Sequence, residues 1–313
     1  MTNDQPPITN YQLPTTNHQL PIRTVFEVSQ QKQQYQTYVL TDASTDSRLE
    51  VVPERGGIIT RWRVRGREIL YLDAERFARP EMSVRGGIPI LFPICGNLPD
   101  NTYIYQGQQY KLKQHGFARD LPWEVTKSEA KDDSASLTLV LKSNEQTRAV
   151  YPFDFQLEFT YEFKGNWLGI WQRFVNHSSA PMPFSVGLHP YFQVSDKTDL
   201  KFEISATQFQ NQITKETHAF SGNFDFEQEE LDLAFRPISN QKATVSDRSM
   251  RLQLTWSRNY YSTLVFWTIK GKDYYCLEPW TAPRNALNTG TDLIYIEPSG
   301  EVQTWVNLDV TFS

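Results

Sequence analysis

His189, in Gly187-Leu188-His189-Pro190-Tyr191-Phe192, and Glu278, in Cys276-Leu277-Glu278-Pro279-Trp280, each join a proton-transfer group to proline and aromatic neighbours. An imidazole and a carboxylate brought together in an aromatic cleft form an acid/base pair that moves protons at neutral pH without a metal. Trp and Tyr walls are also what a sugar ring packs against, with Trp280 the nearest candidate. The pair therefore points to proton chemistry on a carbohydrate. Both residues precede a proline, which holds the backbone extended and can aim a side chain into a cleft. Glu278 follows the apolar run Tyr274-Tyr275-Cys276-Leu277, where a carboxylate is costly to bury unless it is paired or functional. His189 taken alone reads equally well as a structural histidine.

Two further segments interrupt apolar, proline-marked runs with polar groups. In Val84-Arg85-Gly86-Gly87-Ile88-Pro89-Ile90-Leu91-Phe92-Pro93-Ile94-Cys95-Gly96-Asn97 the paired glycines permit close backbone approach or positive φ. Arg85 beside them offers a planar fork to hydroxyls or a phosphate. A bulged strand with a surface arginine is the alternative. In Gln114-His115-Gly116-Phe117-Ala118-Arg119, His115 reads as structural when taken alone, and Arg119 as a partner for a nearby carboxylate. His18, His177 and His218 lie in polar or turn-like surroundings and carry no expected role. The chain contains no cluster with metal-ligand spacing, no phosphate-cradling P-loop and no Gly-x-Ser-x-Gly elbow.

The elements that must position these groups read as strands. The 313 residues include eight Trp, fifteen Tyr and nineteen Phe, flat side chains that pack well on a pleated surface. Ser136–Leu141, Phe155–Phe163 and Leu252–Trp256 alternate apolar and polar residues, the period of a half-buried strand. Lys164-Gly165-Asn166 then supplies a turn. Helical periodicity is scarce, with a turn or two expected between Phe226 and Phe235. The expectation is an all-β fold, a large antiparallel β-sandwich forming one domain over residues 24–313. Residues 1–23 nearly repeat Thr9-Asn10-Tyr11-Gln12-Leu13-Pro14 as Thr16-Asn17-His18-Gln19-Leu20-Pro21 and read as a disordered tail. A net charge of −5 without a basic run argues against nucleic acid as a partner. No segment approaches the roughly 18 apolar residues of a membrane span, and no secretory signal is evident. Cys95 and Cys276 fit no disulfide framework and read as small buried apolar groups in a reducing, cytoplasmic compartment.

In this order the segments resemble the aldose 1-epimerase (galactose mutarotase-like) family over most of residues 24–313. The resemblance runs through Glu54-Arg55-Gly56-Gly57-Ile58-Ile59, Gly66-Arg67-Glu68-Ile69-Leu70-Tyr71, Arg85-Gly86-Gly87-Ile88-Pro89 and His115-Gly116-Phe117-Ala118-Arg119. It continues through Tyr151-Pro152-Phe153, Pro183–Phe192, Leu231-Asp232 and Leu277-Glu278-Pro279-Trp280-Thr281-Ala282-Pro283. It implies a β-supersandwich that interconverts the α and β anomers of an aldose with no metal or organic cofactor. By this resemblance Glu278 is the general base and His189 the general acid. His115 is the second cleft histidine, and Asp232 a sugar-binding aspartate. The carboxylate beside His189 is expected to raise the histidine pKa toward the working pH.

The resemblance divides over the substrate. Arg85-Gly86-Gly87-Ile88-Pro89 and Gln114–Arg119 resemble the hexose-6-phosphate branch, with Arg61, Arg85 and Arg119 as candidate phosphate ligands. His189-Pro190-Tyr191 and Glu278–Ala286 resemble the free-sugar branch. A free hexose is the first expectation and a hexose 6-phosphate the second. From a different class comes a non-catalytic sugar-binding protein of the same fold. The expected partner is a small-molecule sugar or sugar phosphate, not nucleic acid or a membrane, and the chain is expected to be a monomer or weak homodimer.

Overall fold

The computed structural model describes residues 25–313; the tail expected over residues 1–23, with His18, lies outside the described residues. Antiparallel strands dominate it. Five of them (Phe26–Lys32, Gln36–Asp42, Ser47–Val52, Ile58–Val64 and Arg67–Glu68) form a sheet in sequence order. A large sheet runs in the order Lys201–Ile204, Lys242–Ser246, Met250–Trp256, Glu301–Phe312, Trp167–Asn176, Phe155–Lys164, Ala135–Lys142, Glu124–Ala130. Its hairpin from Phe155–Lys164 to Trp167–Asn176 closes between Lys164 and Trp167, with Gly165 at positive φ. That is where the alternation and the turn residues place it.

A second large sheet carries the chemistry. Its central path is Thr217–Ala219, Gln208–Asn211, Glu230–Phe235, Thr263–Ile269, Tyr274–Trp280, Gly187–Leu188 and Ile90–Leu91; Tyr191–Gln193 also pairs with Tyr274–Trp280. The turn or two of helix expected between Phe226 and Phe235 is absent, because Leu231, Leu233 and Phe235 alternate into the core as a strand. A short apolar run fits either period, and here sheet pairing to Thr263–Ile269 decides it.

Register explains the site. Leu231, Leu233, Phe235, Leu264, Phe266, Tyr275 and Leu277 all join one hydrophobic core with Leu157, Phe159 and Tyr161 of the other large sheet. The intervening residues occupy the opposite face: Glu230, Asp232, Val265, Trp267, Cys276, Glu278 and Trp280. Asp232 pairs with Trp267, Trp267 with Cys276, and Val265 with Glu278. A one-residue slip would drive Glu278 into the core and expel Leu277. Burying a Leu or Phe side chain contributes about 1.5–3 kcal/mol, so the core face holds the polar face in place. Among the described residues no helix is long and apolar enough to cross a membrane.

Candidate active site

The polar face and three loops enclose a cavity of about 200 Å³ lined by Arg85, His115, Arg119, His189, Tyr191, Glu230, Asp232, Trp267, Glu278, Trp280 and Arg284, among others. Backbone hydrogen bonds bring its loops together. His189 N–H donates to Pro89 O at 3.0 Å and Tyr191 N–H to Gly87 O at 2.9 Å, so the two proline-marked segments lie side by side. Gly87 has φ +64°, and a Cβ there would meet Ile59 O at 2.2 Å; only glycine lets this loop seat Arg85 against the cleft.

At the floor, His189 Nε2 lies 3.4 Å from Glu278 Oε1. Glu278 is 1% exposed, and its Oε2 accepts the Trp280 indole N–H at 3.2 Å. Burial, reinforced by the nearby Asp232 carboxylate, holds the Glu278 carboxyl well above its ordinary range. The His189 ring stacks on Tyr191 at 4.7 Å and meets Trp267 edge-on at 5.7 Å. Burial, with the positive charge of Arg119 second, pushes its pKa down to about 3. This corrects the expectation of a raised histidine pKa: removal from water outweighs the neighbouring acidic side chain. Burial thus shifts both groups toward their uncharged forms.

His115 stands above them, its ring 5.5 Å from His189 and 5.7 Å from Trp280. Its Nδ1 accepts Gly96 N–H at 3.0 Å. Burial, followed by Arg119, lowers its pKa well below the ordinary value, so the ring is neutral and its single proton sits on Nε2. Cys276 is free and buried, as expected of a small apolar packing residue, but its thiol also joins the pair: ligating atoms of His189, Cys276 and Glu278 lie within 4.8 Å of one another.

Charged groups ring the pair. The Arg85 guanidinium lies 5.4 Å from the centre of the Trp267 ring. Arg119 donates to Gln114 O at 2.9 Å, and its buried Nε has no partner. Asp232 Oδ2 accepts Arg284 Nη2 at 2.8 Å; burial nevertheless raises the Asp232 pKa above its ordinary value.

His189, Glu278, His115, Asp232, Arg85, Arg119 and Trp280 thus converge on one cavity. Arg61 does not. It bridges Glu50 at 3.2 Å and Glu68 at 3.3 Å on the first sheet, beside a separate cavity, because strand Ile58–Val64 turns it toward those carboxylates. His177 and His218 are exposed, as their polar settings suggested. Arg284, Trp267, Tyr191 and Glu230 escaped the sequence reading. Arg284 follows Trp280-Thr281-Ala282-Pro283, and only the turn in that segment brings its guanidinium to 5.2 Å from the Trp280 ring. The even spacing of Glu230 and Asp232 was the one available signal for the former.

The fold is an antiparallel β-sandwich with a polar, aromatic-walled cavity on one sheet. The aldose 1-epimerase family matches residues 36–308. The chain belongs to the aldose 1-epimerase family and is an isomerase acting on carbohydrates. It is similar to the Slr1438 protein of Synechocystis sp. PCC 6803, at 47% identity and a TM-score of 0.86, covering 88% of this chain and 96% of that one. It is 25% identical to protein LacX of Lactococcus lactis subsp. lactis over 66% of this chain and 78% of the relative. It is also 25% identical to a Cenchrus ciliaris protein provisionally named glucose-6-phosphate 1-epimerase, over 77% of this chain and 70% of that one.

Proposed function

We propose that Glu278 and His189 interconvert the α and β anomers of a hexose by sharing one mobile proton. The observation that carries this reading is their 3.4 Å contact at the floor of the cavity, with both side chains buried. With the proton on His189, the Glu278 carboxylate takes the proton of the C1 hydroxyl as the imidazolium gives its proton to the ring oxygen. The C1–O5 bond breaks, C1 becomes an aldehyde, and the C1–C2 bond rotates. The resulting uncharged pair is the arrangement toward which burial shifts both groups. On reclosure Glu278 returns a proton to the C1 oxygen and His189 recovers one from the C5 hydroxyl. Ring opening and closing thus use the two proton placements in turn, and neither proton is lost to solvent. His115 supports this with an Nε2–H donor for a substrate oxygen, and Trp280 and Trp267 offer faces for the ring. General acid/base assistance of this kind contributes about 10²–10⁴-fold.

A phosphorylated hexose is the second reading. Arg85 and Arg119 line the cavity without an ion-pair partner among the described residues, and the similarity to proteins named for glucose 6-phosphate supports it. Two free buried thiols fit a cytoplasmic location. Polarimetry from pure α-glucose, α-galactose and glucose 6-phosphate tests both readings. Accelerated equilibration of any of them supports catalysis; sugar binding without acceleration would replace the enzyme by a binding protein.

A further inference from the structure

The structure assigns Arg284, coupled to Asp232, as a specificity-determining residue that reads two adjacent hydroxyls of the sugar. This inference rests on the sugar-epimerase reading above. The two side chains are only 17% and 16% exposed and share a single hydrogen bond, Arg284 Nη2 to Asp232 Oδ2 at 2.8 Å. Arg284 Nη1 and Asp232 Oδ1 are both buried and have no partner in the protein. Buried polar groups of folded proteins are almost always satisfied, so a donor and an acceptor left open side by side in a cavity wall call for a ligand that supplies both. An adjacent pair of hydroxyls does so: one oxygen accepts from Nη1–H while the other hydroxyl donates to Oδ1. A phosphate fits poorly, because the Asp232 carboxylate beside Arg284 would repel it.

The fork is also held in place. Its guanidinium stacks over Trp280, whose indole N–H reaches Glu278, so the diol reader is tied to the acid/base pair. Its stem passes over Gly96, where a Cβ would come within 2.2 Å of Arg284 Cγ. Gly96 N–H in turn orients His115. Arg284 and Trp280 are furthermore shared with a second cavity of about 290 Å³ lined by Gln208, Gln210 and Gln212, so Arg284 is a partition as well as a contact.

The test is a panel of 2-, 3-, 4- and 6-deoxyglucose, each enzymatic rate referred to the spontaneous rate of the same sugar. Expected in the wild type are losses of about 10–100-fold in kcat/KM at two neighbouring positions, carried mainly by KM, since hydrogen bonds to charged groups are worth about 1.5–3 kcal/mol. Arg284→Met keeps the partition filled and should erase the loss at the position read by Nη1–H. Arg284→Lys restores the charge beside Asp232 without the fork and should not restore discrimination. Because the wild-type panel needs no variant, a misfolded Arg284→Met leaves the test intact. Glucose serves as the internal control: a wild type inactive on every sugar removes the epimerase reading itself. A wild type active on glucose but indifferent to all four deoxy sugars, or an Arg284→Met enzyme with unchanged discrimination, overturns the role of Arg284.

Discussion

Phe155–Lys164 and Tyr274–Trp280 are both aromatic strands that carry glutamate, and they treat it in opposite ways. Phe155–Lys164 buries every second residue and leaves Glu158 and Glu162 on its wetter face, where Glu162 accepts the Trp171 indole N–H at 3.1 Å. Tyr274–Trp280 buries all seven of its residues, Glu278 among them. The first strand has a packed face and a solvated face, so its charges keep their water. The second has the core on one face and the arginine- and histidine-bearing loops over the other. A carboxylate there loses its hydration and is driven toward its protonated form. The same residue type keeps part of its surface in water in one sheet and is fully buried in the other.

Paired substitutions would break that contrast if it is wrong. Glu278→Gln should lower the anomerisation rate by about 10²–10⁴-fold while preserving the fold, since the amide fills the same space without accepting a proton. Glu158→Gln should leave the rate unchanged and alter stability by less than about 0.5 kcal/mol. Polarimetry on both variants decides the point, and equal rates would remove Glu278 from the mechanism. Next in size, Phe159→Ala in the first strand should cost about 3–5 kcal/mol of stability, because the ring is fully buried against Phe174 and Trp123. Denaturant unfolding reads this loss, and the folded variant should retain its rate per molecule.

The contrast also explains what could be read in advance. Alternation marks Phe155–Lys164 because one of its faces is wet, and the turn after it is written in Gly165-Asn166. Glu278 stood out for the opposite reason, as a charge inside an unbroken apolar run. Arg284 was illegible because its position depends on a turn, a ring four residues back and a glycine from a distant loop. Asp232 and Glu230 lay in a short run whose period suits helix as well as strand. The low pKa of His189 was equally hidden: a carboxylate neighbour suggests a rise, and only the extent of burial reverses the sign.

That reversal has a measurable consequence. His189 titrates at its ordinary value, 6.5, in the unfolded chain and near 3 in the folded one. Between these values the unfolded chain binds more protons, so stability falls as pH drops from 6.5 toward 3. His189→Asn removes one such group. Its stability should therefore decline with acidification less steeply than the wild type, by at most about 1.4 kcal/mol per pH unit. Unfolding midpoints measured from pH 7 to pH 4 on the two proteins test this. Parallel curves would mean that His189 protonates normally in the folded protein, and the depression of its pKa by burial would be wrong.

The smallest effect belongs to the arginine that the cavity leaves out. Arg61 is half exposed and shared between Glu50 and Glu68, whereas Arg85 and Arg119 line the cleft. If anion recognition depends on guanidinium groups that no carboxylate occupies, Arg85→Met should slow glucose 6-phosphate selectively and Arg61→Met should not. Arg61 is itself half exposed, and its buried partner Glu50 keeps Arg48 at 2.7 Å, so Arg61→Met should change stability little. The measurement is the ratio of kcat/KM for glucose 6-phosphate to that for glucose in each variant. An unchanged ratio in Arg61→Met, beside a lowered one in Arg85→Met, places the anion at the cleft. A lowered ratio in Arg61→Met would mean that the phosphate reaches across the first sheet to a guanidinium already held by two carboxylates, and the division between the two arginine environments would fail.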